Sequence, residues 1–115
     1  MHRIALCAAV GLLLLAGVSC ESSRTGGDNT VQGYLSRGES RVYRVDLSEG
    51  LTYALRLSAP DGFYVALFSP DDNLIEGRYV QNGWAQVTYR SLYAGAYHVR
   101  VGSEVKSGNY RLSVR

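Results

Sequence analysis

Beyond residue 20 the chain carries one histidine, His98, whose neighbours Tyr97, Val99 and Val101 hold the opposite strand parity, so its imidazole is expected to point outward. Acid–base or acyl-transfer chemistry needs a base, a nucleophile and an orienting group within hydrogen-bond reach of one another. Ser91 and Ser103 supply hydroxyls, but no G-x-S-x-G, H-E-x-x-H, P-loop or paired-cysteine motif accompanies them. The carboxylates are scattered singly over turns, without the facing pair that glycoside hydrolysis uses. An enzyme is not expected.

The cations say more. All are arginine except Lys106, and Arg90, Arg100 and Arg111 share an outward parity on late strands with His98 and Trp84. If those strands are neighbours, the five residues compose a cationic face with an aromatic at its edge. Guanidinium matches carboxylate and phosphate, and arginine and tryptophan are enriched in binding hot spots. The plain alternative is that outward strand positions have to be polar. A second candidate is the aromatic set around Tyr64 and Phe68, with Tyr79 and Tyr93, which is either an exposed docking patch or part of a small core. Asp71, Asp72 and Asn73 offer hard oxygen ligands, yet calcium takes six or more and the same residue types stabilise turns through their own backbone. Apart from that calcium alternative no cofactor is expected.

These side chains must be positioned by strands, because from Val31 onward the apolar period is two. "RVYRVDL" sets Tyr43, Val45 and Leu47 against Val42, Arg44 and Asp46, and "LTYALRLS" sets Leu51, Tyr53, Leu55 and Leu57 on one face. Phe63, Val65 and Leu67; Ala85, Val87 and Tyr89; Tyr97, Val99 and Val101; and Tyr110, Leu112 and Val114 continue the pattern, with weaker strands at 31–35 and 74–80. Turn residues separate the runs: Glu49-Gly50 as a tight hairpin, Asp61-Gly62, Asn82-Gly83 as a type I′ turn, and Ser107-Gly108-Asn109. Seven or eight short strands at this spacing predict an all-β, antiparallel, jelly-roll-like sandwich over 31–115.

The first residues read differently. His2 and Arg3 precede an uncharged apolar run, Ile4 to Leu15, of signal-peptide length and short for a membrane span. Residues 1–19 are therefore expected to be an export leader. The segment Gly17-Val18-Ser19-Cys20 resembles a bacterial lipobox, with Gly17 departing from the usual aliphatic residue; ordinary secretory cleavage is the alternative. The resemblance implies acylation of Cys20 and a membrane anchor, followed by a polar tether over 20–30 that reaches about 17 Å. Glu21 in place of a retention Asp favours an outer membrane or the periplasmic side of the envelope. With the leader gone, Cys20 is the only cysteine, so no internal disulfide is expected.

"GYLSRGESRVYRVDLSEGLTYALRL", "VALFSPDDNLI", "GAYHVRV" and "GNYRLSV" together resemble the bacterial pre-peptidase C-terminal (PPC) domain over Gly33 to Val114. The matching residues are turn glycines and inward side chains, with Phe63, Tyr64 and Asp72 departing from the family pattern. The resemblance implies a β-sandwich with a binding or accessory role, since such modules are appended to secreted enzymes. It leads to the expectation of a non-catalytic, lipid-anchored envelope module that binds an envelope glycan or a partner protein. A structural or assembly subunit, or a secreted module that aids a peptidase, is the alternative. A net charge of +2 and an extracytoplasmic address argue against nucleic acid.

Overall fold

The computed structural model describes residues 4–7, 21–22 and 29–115. Cys20, and with it the expected acylation site, lies outside the described residues, as does most of the expected leader and tether. Among the described residues ten strands follow in order: β1 Ile4–Cys7, β2 Glu21–Ser22, β3 Asn29–Leu35, β4 Ser40–Leu47, β5 Thr52–Ser58, β6 Phe63–Phe68, β7 Leu74–Tyr79, β8 Trp84–Arg90, β9 Gly95–Ser103 and β10 Gly108–Val114. The period-two runs fold as predicted because one parity is buried and the other wetted. In β4, Tyr43, Val45 and Leu47 are at most 3% exposed while Arg44 and Asp46 face solvent.

Two antiparallel sheets face each other, with orders β2-β1-β4-β9-β6-β7 and β3-β10-β5-β8. From β3 onward only the β6–β7 connection stays within a sheet; every other one crosses the sandwich. The arrangement of β3 to β10 is that of a jelly roll, in which two Greek keys interleave. The core is drawn from both inner faces and includes Leu35, Val45, Leu55, Leu57, Phe63, Val65, Leu67, Tyr97, Val99 and Leu112.

Two expectations change. Glu49-Gly50 is not a hairpin, because β4 and β5 lie in opposite sheets. It is a corner over the top of the sandwich, where Gly50 at φ 83° donates its N–H to the Ser91 carbonyl at 2.8 Å. Leu51 therefore falls in the corner rather than in the strand and is 55% exposed. Asn82-Gly83 does adopt the primed geometry, with both φ angles positive (58° and 91°) and with reciprocal backbone hydrogen bonds between Gln81 and Trp84.

Near the middle, Tyr43 of β4 and Tyr110 of β10 meet hydroxyl to hydroxyl across the sheets, both buried. Gly33 of β3 makes room for this pair, since a Cβ there would stand 2.6 Å from the Tyr110 hydroxyl oxygen. Burial and the bond to Tyr110 push the Tyr43 hydroxyl well above the ordinary tyrosine pKa, against a smaller lowering by Arg41.

Candidate binding face

The sandwich topology divides the expected cationic face. His98 and Arg100 lie on β9, in the larger sheet, whereas Trp84 and Arg90 lie on β8 and Arg111 on β10, in the four-stranded sheet. Equal strand parity made the five residues look coplanar. Parity decides inward against outward, not which of two sheets a strand joins.

On the four-stranded sheet the outward positions line up in rows. Gln32, Arg111, Ser58 and Trp84 are cross-strand neighbours in succession, and Thr30, Ser113, Arg56 and Gln86 form the next row. Tyr34, Asn109, Ala54, Thr88, Thr52 and Arg90 complete this face. None of its strand positions is Asp or Glu. Arg56, missed in the sequence reading, holds its guanidinium 4.3 Å from the Trp84 ring centroid, a cation–π contact that stiffens both side chains. Among the described residues, Arg56, Arg90 and Arg111 have no salt-bridge partner, whereas Arg44 and Arg78 pair with Asp46 and Glu76. A signal for Arg56 was present in the sequence, since it alternates with Leu55 and Leu57; what it lacked was a reason to place β5 between β10 and β8.

Trp84 and Gln86 also border a shallow cavity of about 370 Å³ at the open edge of the sandwich, lined further by Arg78, Tyr79, Gln81 and Asn82. Its rim is rigid. The Asp61 carboxylate accepts the Gly83 N–H at 3.0 Å, and Ala59 donates its N–H to the Gly83 carbonyl at 3.0 Å. Tyr79 donates its hydroxyl to Glu104 at 3.0 Å, and that carboxylate raises the tyrosine pKa.

The outer face of the larger sheet has another character. Tyr64 lies over Gly102, where a Cβ would come 2.3 Å from its ring, and meets Tyr79 edge-on at 5.9 Å. Phe68 sits under the Arg100 guanidinium at 5.3 Å. Both Tyr64 and Phe68 are thus outward, as parity required, yet half-buried by their neighbours. His98 is paired in register with Arg44 on one side and Phe68 on the other, and its Nδ1 is buried without a hydrogen-bond partner. Ser91 and Ser103 are buried, and their hydroxyls donate to the carbonyls of Tyr93 and Lys106.

The 71–73 segment is a turn on the surface. Asp72 adopts φ 68° and donates its N–H to the Ser69 carbonyl at 2.8 Å, while the Asn73 N–H reaches the Ser69 hydroxyl at 3.1 Å. Among the described residues no three His, Cys, Asp or Glu side chains converge as a metal site would require. In comparisons with known proteins, no family model and no curated protein matches this chain.

Proposed function

We propose that this protein is a non-catalytic binding or accessory module of the bacterial cell envelope, akin to the PPC domain, carried on a lipid anchor at Cys20. Its ligand is an acidic envelope glycan laid across the four-stranded sheet. The observation that carries this reading is the outer face of that sheet, which sets Arg56, Arg90 and Arg111 among hydroxyls and amides without a single carboxylate at its strand positions. Guanidinium groups without a carboxylate partner suit carboxylates or phosphates, and Trp84, stacked under Arg56 and 44% exposed, adds an aromatic contact beside them. The cavity beside Trp84 is within the usual size range of small-ligand sites, about 300–1,000 Å³.

Retention on immobilised polygalacturonate, compared with neutral dextran, tests the reading. A charge-assisted hydrogen bond contributes about 1.5 kcal/mol at the low end, so Arg56→Glu and Arg111→Glu should each weaken binding about tenfold and flatten its salt dependence. Arg100→Glu, on the opposite sheet, should leave binding unchanged. Equal retention of the Arg56→Glu/Arg111→Glu double variant and the parent protein would overturn the assignment of this face.

A further inference from the structure

β4 has two sides. One pairs with β9, from Ser40 opposite Gly102 to Leu47 opposite Gly95. The other pairs with β1, with Ile4 opposite Val45, Ala5 opposite Arg44, Leu6 opposite Tyr43 and Cys7 opposite Val42. β1 falls within the segment read above as the export leader. A chain that starts at Cys20 loses it, and β4 becomes the outermost strand of its sheet with one row of backbone N–H and C=O groups unpaired. Such an edge is a template for another strand. Among the described residues the buried core lies between Val31 and Val114, all of which the shortened chain keeps.

We propose that a second copy of this chain fills the edge, by antiparallel pairing of β4 with β4 about a two-fold axis at Val45. The inference rests on the leader reading and is independent of the glycan site. A two-fold axis makes the contact self-complementary, so the possible registers differ only in which residue sits on the axis. An axis at Arg44 or at Asp46 sets like charges opposite each other, which is destabilising. An axis at Tyr43 sets Arg44 opposite Val42 and Asp46 opposite Ser40, leaving neither charge matched. Only the axis at Val45 sets each Arg44 opposite the Asp46 of the second copy. Both side chains are on the solvent face, 48% and 55% exposed, and already attract each other within β4 at 3.2 Å.

The aliphatic pattern agrees. β1 places an isoleucine opposite Val45 and a leucine opposite Tyr43. With the axis at Val45, the second copy places a valine and a leucine, its Val45 and Leu47, at those same register positions. β4 of a second copy thus repeats the pattern of the leader strand it replaces. The result is a continuous sheet through both sandwiches, with the four-stranded sheet of each copy in the other layer.

Sedimentation equilibrium on the full chain and on residues 20–115 carrying Cys20→Ser tests the proposal, the serine excluding a disulfide dimer. The full chain, its edge occupied by β1, should be monomeric, and the shortened chain dimeric at tens of micromolar. Arg44→Asp or Asp46→Arg alone sets like charges opposite each other and should return the shortened chain to monomer, and combining them should restore the dimer. A monomeric shortened chain, or a dimer indifferent to the swaps, overturns the proposal. The leader reading is tested separately, by the intact mass of the exported protein: a mass that retains residues 1–19 refutes that reading whatever the shortened chain does.

Discussion

Replacing Tyr43 with phenylalanine removes one oxygen from the middle of the sandwich and leaves the rest of the ring. Its partner Tyr110 lies edge-on at 6.5 Å and 67°, a geometry that phenylalanine preserves, so the change isolates the hydrogen bond between the two hydroxyls. Both residues are 3% exposed, and the Tyr110 hydroxyl would be left buried without this partner. An unsatisfied buried hydroxyl costs about 1–3 kcal/mol. At about 2 kcal/mol, a domain of this size should melt about 8–16 °C lower. Tyr110→Phe should cost less, because the Tyr43 hydroxyl keeps the neighbouring Arg41 guanidinium. The double variant removes both polar groups, so its cost should fall below the sum of the two by about 1 kcal/mol or more. Thermal and urea unfolding of the four proteins closes the cycle. Costs that add to within about 0.5 kcal/mol would refute the inter-sheet bond.

The same pair predicts a pH dependence. Because the folded pKa of Tyr43 is raised, the folded state holds this proton where the unfolded chain has released it. The associated stability is fully present below about pH 10, the ordinary tyrosine value, and is lost as pH rises from there toward the folded value. Melting temperature measured from pH 8 to 11 should fall less steeply for Tyr43→Phe than for the parent, and parallel curves would contradict the assignment. Gly33→Ala should cost about 1–3 kcal/mol by overpacking, since its Cβ would stand 2.6 Å from the hydroxyl oxygen of the buried Tyr110; a cost below about 0.5 kcal/mol in urea unfolding would show that Tyr110 gives way freely.

Strand content, the inward residues and the primed turn at Asn82-Gly83 could be read from the sequence, because a period of two and a local backbone requirement are properties of adjacent residues. The corner at Glu49-Gly50 could not, since a glycine turn serves equally to return a strand beside its predecessor or to carry it over to the opposite sheet. The same limit affected the binding face. Trp84, Arg90 and Arg111 were recognised as outward and do share a sheet, but His98 and Arg100 belong to the other one, and Arg56 was passed over. Strand order sets the neighbours of an outward side chain, and strand order depends on long-range pairings such as Arg56 opposite Gln86 and Arg111 opposite Ser58. The sequence by itself thus determined which side of a sheet each residue occupies. Only the tertiary structure decided which sheet that was, because jelly-roll closure joins strands far apart in the chain and no local pattern encodes their order.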